Sequence, residues 1–301
     1  MRIGLSGGGA SIERIVEQAR EAEADGFTSL WYASAVAGDP LVAMAIAGRA
    51  TSRIELGTAV LQTYPTHPLA MANRAASVVS AMGRPGFTLG LGPSHAPLVE
   101  GVYGYRYDRP GAHTEEYARI VTAALRGEAV DVQGELITAR SLGRVAAPET
   151  PVPVLLGALA PRLLRVAGEV ADGTITWMAN VRAVAEHVSP RIRKAAGGRE
   201  VRIVVGLPVC VHDDVAEARA EAATQFAMYG NLPNYRRILT LGGAAGPADA
   251  AIVGDEEAVT SGITAIFDAG ATDVWLAPFP VGDRRASRAR TRALLNTLAG
   301  A

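Results

Sequence analysis

The chain has 301 residues, 49% of them hydrophobic, with 29 basic and 30 acidic side chains and a single cysteine, Cys210. That length suits one (β/α)8 barrel, and the balanced charge gives no pull towards nucleic acid. One cysteine excludes an internal disulfide and points to the cytoplasm; no apolar run reaches the roughly 18 residues of a membrane span.

The chain opens directly on a strand, Arg2 to Ser6, with no secretory leader before it. Ser11 caps a helix from Ile12 to Asp25. Thr28 to Tyr32 is the second strand, and Asp39 with Pro40 starts the helix ending at Ala50. From Arg53 to Val60, Ile54, Leu56, Thr58 and Val60 alternate with Glu55, Gly57 and Ala59, as in a strand. Pro68 to Met82 is helical, with Leu69, Ala72, Ala76, Val79 and Met82 at steps of three and four, and Gly83 stops it. Phe87 to Leu91 is a chargeless strand followed by Gly92, Pro93, Ser94 and His95.

His95 to Pro110 breaks this rhythm with a long tyrosine-bearing loop, and long loops in compact domains are often lids. A helix spans Gly111 to Arg126, and Val130 to Ala139 is a small hairpin. Strands follow at Val152 to Leu156, Gly173 to Trp177, Val201 to Val211 and Asp273 to Ala277. The helices between and after them are Pro161 to Ala171, Val181 to Ala196, one capped by Asp213 and running to about Tyr229, one capped by Asp255, and Arg284 to Leu298. The reading is therefore one α/β domain over 1–301: a (β/α)8 barrel with insertions near 95–110, 128–150 and 230–250.

Several chemistries are excluded. Lys194 is the only lysine and sits at a helix C-terminus, so no strand end carries a Schiff-base amine. The histidines are His67, His95, His113, His187 and His212, without a His-x-His or HExxH pair, so a metal-dependent hydrolase is not expected. The arginine cluster from Arg284 to Arg292 reads as a solvated helix face.

Barrel sites lie at the C-terminal ends of the strands. Those ends are mostly small and apolar here, which suits a flat aromatic ring. Gly157 to Pro161 is either a phosphate site at a helix N-terminus or an ordinary βα turn. His95 is a proton donor, a ring contact or a loop histidine. Trp177 is barrel core or pocket wall, His67 a helix cap, and Tyr103, Tyr107 and Tyr235 either cover the site or pack a lid.

The segments AREAEADGFTSLWYAS, DPLVAMAIAGRATSRIELGTAVLQTYPTHPLAMANRAASV, GFTLGLGPSH and PVPVLLGALAPRLLRVAGEVADGTITW together span most of the chain. In them, and in ELITA and the DD of HDDVAEARA, the chain resembles the bacterial luciferase-like family, in its branch dependent on coenzyme F420, a deazaflavin. The resemblance implies a (β/α)8 barrel with a non-proline cis peptide at Ala59-Val60 backing the ring. It implies ring contacts at Val60, Ser34, Pro93, Ser94 and His95, a phosphate side at Gly157, Ala158 and Leu159, and a homodimer. The acidic residue and histidine that end strand two in sugar-phosphate dehydrogenases of this branch correspond to Ser34 and Ala35, and their glutamate after strand four to His95. The expected activity is hydride transfer between coenzyme F420 and a small organic substrate, with His95 or a tyrosine as proton partner and Tyr103, Trp177 and Tyr235 around the substrate. FMN-dependent monooxygenation and non-catalytic flavin or deazaflavin binding are the rival readings.

Overall fold

A computed structural model describes residues 1–9, 11–33, 38–144 and 147–300. Ser34 and Ala35 lie outside the described residues. Eight parallel strands close a barrel in chain order: β1 (Ile3–Ser6), β2 (Ser29–Tyr32), β3 (Glu55–Thr58), β4 (Phe87–Gly92), β5 (Val154–Leu156), β6 (Gly173–Trp177), β7 (Arg202–Val211) and β8 (Asp273–Pro278). Closure comes from β8 pairing with β1, with Ile3 opposite Val274 and Leu5 opposite Leu276.

The caps form as the sequence requires. Ser11 accepts from the Arg14 N–H at the start of α1 (Ile12–Ala24), and Asp39 accepts from Leu41 at the start of α2 (Pro40–Arg49). The His67 ring accepts from Leu69 at the start of α3 (Pro68–Met82), and Gly83 ends α3 in the left-handed region at φ 67°.

Other segments differ from the sequence reading. The loop expected over 95–110 contains a short helix, α4 (Ala96–Gly101), before α5 (Pro110–Leu125). Asp214, not Asp213, caps the helix after β7, because its carboxylate takes both the Ala216 and Glu217 N–H groups. That helix ends at Gln225; a separate turn, Ala227–Asn231, and a helix, Pro233–Leu241, follow. Three residues, Ile252–Gly254, add a strand beside β7. The helix expected over Val181 to Ala196 is interrupted by a π-turn, Val184–Val188, where the Ser189 N–H reaches back to the Val184 carbonyl. Among the described residues, no helix is long and apolar enough to cross a membrane.

Two of the apolar clusters bear on the site. Outward residues of the strands, such as Leu5, Leu30, Leu56, Leu89, Leu156 and Val205, pack against the helices. A smaller cluster of Trp31, Leu155, Ile175, Val204 and Trp275 fills the barrel. The two indoles need room, and glycine supplies it. A Cβ on Gly57 would lie 2.3 Å from the Trp31 ring, and one on Gly206 would lie 2.1 Å from Trp275. Both buried N–H groups are satisfied, Trp31 by Ser29 Oγ at 2.9 Å and Trp275 by the Thr176 carbonyl at 3.1 Å.

Below the indoles, charge seals the N-terminal end. Arg202 Nη1 donates to Glu55 Oε1 at 2.7 Å, and Nη2 to Asp273 Oδ1 at 2.7 Å. Arg2 joins the same two carboxylates at 2.6 Å each, and Thr88 donates to Glu55. The Arg202 guanidinium also lies 6.0 Å from the centre of the Trp31 ring. Burial raises the proton affinity of Asp273, but bonds from Arg202, Arg2 and Thr272 outweigh it and hold the carboxyl below its ordinary value.

Two stability predictions follow from this packing. The side chain of Asp273 is 2% exposed, so Asp273→Asn leaves buried arginine charge undercompensated and costs about 3–5 kcal/mol in urea denaturation. Since folding lowers this pKa, the carboxylate's contribution is complete above its unfolded value of about 3.9. It is lost as pH falls through the folded value, so the variant flattens the acid limb of stability against pH. Gly206→Ala overfills the barrel beside Trp275, costs about 1–3 kcal/mol, and shifts the indole emission.

Candidate active site

At the opposite, C-terminal end, the barrel is open. The chain leaves β3 through a cis peptide at Ala59-Val60 and at once pairs Leu61 and Gln62 beside β4, opposite Leu91 and Gly92. The turn brings Val60 across the barrel mouth. A Cβ on Gly92 would lie 2.7 Å from one Val60 methyl, and one on Gly157 would lie 3.5 Å from both. Val60, Gly92 and Gly157 thus make a floor without projecting side chains above it.

Above this floor is a cavity of about 370 Å³. Ala59, Val60, Pro93, Ser94, His95, Gly157, Leu159, Trp177 and Tyr235 all line it, so these sequence-nominated positions are gathered at one place. Ala158 is buried but does not line it, and Tyr103 stands 41% exposed, outside the lining. Ser34 lies outside the described residues. From the same lid, Tyr107 faces the cavity instead of Tyr103, because the turn after α4 carries Tyr103 outward.

Hydrogen bonds hold the mouth. The Tyr107 hydroxyl donates to the Ser94 carbonyl at 2.6 Å, fixing a residue in the left-handed region at φ 64°. Tyr107 also lies 5.6 Å from Tyr64, which stacks on His113 at 4.0 Å. Asn180, just after β6, caps the following helix and donates to the Gly242 carbonyl at 3.0 Å. That clip holds the end of Pro233–Leu241, the helix that carries Asn234, Tyr235 and Arg237 to the cavity. Trp177 forms the inner wall, stacked at 4.9 Å on Trp275 and edge-on to Tyr229 at 5.8 Å.

Among the described residues, no carboxylate and no lysine line the cavity, and its charged groups are Arg162 and Arg237. Arg162 is paired with Glu115 at 3.0 Å, whereas Arg237 has no hydrogen-bond or ion-pair partner among the described residues. Both stand beside the turn from β5 into α6 (Pro161–Glu169), whose N-cap, Ala160, has no capping side chain. The N–H groups of Leu159 and Ala160 have no acceptor among the described residues. Free N–H groups, a helix N-terminus and an unpaired guanidinium form a receptor for an anion.

His95 sits 5.6 Å from Tyr235. Burial pushes its pKa below the ordinary histidine value, so the imidazole is neutral at pH 7. Burial also pushes the Tyr107 and Tyr235 phenols up, so both stay protonated. Among the described residues that line the mouth, the only uncharged base is thus His95. A larger hollow, about 840 Å³, lies at the N-terminal end, but there Arg126 is paired with Asp172 and Arg202 with Glu55 and Asp273.

Arg162 and Arg237 were not among the nominated site residues. Arg162 was findable, because it follows Pro161 in the first turn after a Gly-containing strand end. Arg237 gave no signal, since its place depends on how the helix Pro233–Leu241 folds back.

Comparison with known proteins agrees with the fold. An F420-dependent secondary alcohol dehydrogenase, solved with an F420-acetone adduct, superposes with a TM-score of 0.78 at 18% identity, over 97% of both chains. An uncharacterized protein of Mycobacterium tuberculosis is 31% identical over 255 residues, covering 76% of this chain and 72% of that protein. A putative coenzyme F420-dependent oxidoreductase of the same organism is 34% identical over 167 residues, covering 50% and 47%. Residues 2–299 match the family described as luciferase-like monooxygenase, and the chain belongs to that family.

Proposed function

We propose that the chain is an oxidoreductase that binds coenzyme F420 across the mouth of the barrel and passes hydride between it and a small organic substrate. The observation that carries this reading is the floor of Val60, Gly92 and Gly157, which leaves space for a planar ring beside an anion receptor. The relative named as a putative coenzyme F420-dependent oxidoreductase supports the choice of carrier. Bound there, the coenzyme supplies a two-electron hydride acceptor or donor, a chemistry the side chains themselves lack.

The chain's own residues do the rest. Val60, Gly92 and Gly157 support one face of the ring, with Pro93 and Ser94 at its edge. Leu159, Ala160, Arg162 and Arg237 take the phosphate. Trp177, Tyr107 and Tyr235 enclose the substrate and exclude water. His95, neutral at pH 7, takes a proton from the substrate oxygen in oxidation and returns it in reduction. A homodimer is part of the same reading: Val42 and Ile46, one turn apart on α2, are 49% and 43% exposed, an apolar face for a second copy.

Equilibrium titration of the purified protein with coenzyme F420 and with FMN tests the carrier. Micromolar binding of F420 in preference to FMN is expected; binding of FMN alone would transfer the reading to an FMN-dependent monooxygenase. Tight binding of either without turnover across a substrate panel would leave a carrier protein. Gly157→Val projects methyls above the floor with room at its Cβ; it is expected to weaken coenzyme binding at least 100-fold while the melting temperature stays within a few degrees. His95→Ala is expected to lower kcat about 100-fold with the coenzyme Kd little changed. Wild-type oxidation should fall on acidification, as the imidazole protonates, with a midpoint below that of an ordinary histidine because burial lowers the pKa of His95.

A further inference from the structure

The anion receptor is not preformed by its own residues. Leu159 and Ala160 lie in a short connection between β5 and α6, and a peptide there can turn either its carbonyl or its N–H to the cavity. Two side chains from behind decide the matter. His187, 4% exposed, has its Nε2 2.8 Å from the Leu159 carbonyl. A carbonyl only accepts, so Nε2 carries the proton. Thr174 Oγ1, fully buried on β6, donates to the Leu156 carbonyl at 2.8 Å and reaches the Ala158 carbonyl at 3.4 Å. In a trans peptide the N–H points opposite to the carbonyl of the same plane. Holding the Ala158 and Leu159 carbonyls from behind therefore turns the Leu159 and Ala160 N–H groups forward, into the cavity that both residues line.

His187 reaches this place because of the π-turn Val184–Val188 in which it stands. One extra residue in that turn shifts the phase of the helix, and the ring buries behind the β5 exit. The same turn buries Val184 and Val188 in the main apolar core.

We propose that His187, assisted by Thr174, is a positioning residue that aims the N–H groups of the β5–α6 turn at the phosphate of the coenzyme. This rests on the reading that the turn takes that phosphate. His187 touches neither coenzyme nor substrate, and its effect is confined to ligands that carry the anion.

The test compares two ligands on each protein: coenzyme F420 and the same deazaflavin riboside without its phosphodiester tail. Wild type should favour the phosphorylated form. His187→Leu, which keeps bulk and loses the donor, should weaken F420 about 10-fold and leave riboside affinity within about 2-fold. His187→Gln, whose amide nitrogen stands near the Nε2 position, should restore most of the loss. Thr174→Val should show the same selective loss, about 3-fold, and serves alone should His187→Leu not fold. Equal weakening of both ligands, or an unchanged ratio in His187→Leu and Thr174→Val, overturns the proposal. A wild type that binds F420 and riboside equally overturns instead the placement of the phosphate. FMN with riboflavin, run as a second pair, separates a wrong coenzyme from a wrong role for the turn.

Discussion

The barrel works because its interior is filled from one end only. Arg202 joins Glu55 on β3 to Asp273 on β8 across the base, and lies against the Trp31 ring. Arginine suits this place: its fork satisfies two carboxylates at once and stays charged under every condition the fold meets. Above it Trp31 and Trp275 take the volume that branched aliphatic side chains usually fill. Gly57 and Gly206 are the consequence, since no side chain fits beside the indoles. What remains at the top is a floor of small residues, and that absence of bulk leaves the cavity at the mouth.

Shape at the mouth is then set by hydrogen bonds to carbonyls rather than by packing. Tyr107 holds Ser94, Asn180 holds Gly242, and His187 holds Leu159. Each bond ties a strand-end loop to an element distant in the chain. Loops at barrel mouths lack ladder bonds of their own, so their backbone groups need such partners. The same bonds tie the lid and the Pro233–Leu241 helix to the strand ends.

Much of this was legible in the sequence, for identifiable reasons. Pro68–Met82 and Gly173–Trp177 were read to the residue because each has a sharp boundary: Pro and Gly for the helix, Gly and a buried run for the strand. The strand-end residues of the cavity could be nominated because in a parallel barrel every strand delivers its C-terminus to the same face. Illegible were features fixed by tertiary contact. Asp213 and Asp214 are equivalent in sequence, and only the fold gives the cap to Asp214. A π-turn leaves no mark in hydrophobic spacing. Tyr103 and Tyr107 differ in nothing but where the short helix α4 stops, and that decides which of them sees the cavity.

The distribution of charge explains why such a site borrows its reactivity. Glu55 and Asp273 are spent at the base of the barrel, each bound to arginine, and among the described residues no acid lines the mouth. A mouth with two guanidinium groups, forward-facing N–H groups and a neutral imidazole can bind an anion and move one proton. Among the described residues that line it there is no cysteine, lysine or carboxylate. On the proposed function, the electrons come from a redox carrier that brings its own negative charge, and the anion receptor beside the bare floor is the part of the mouth that suits it.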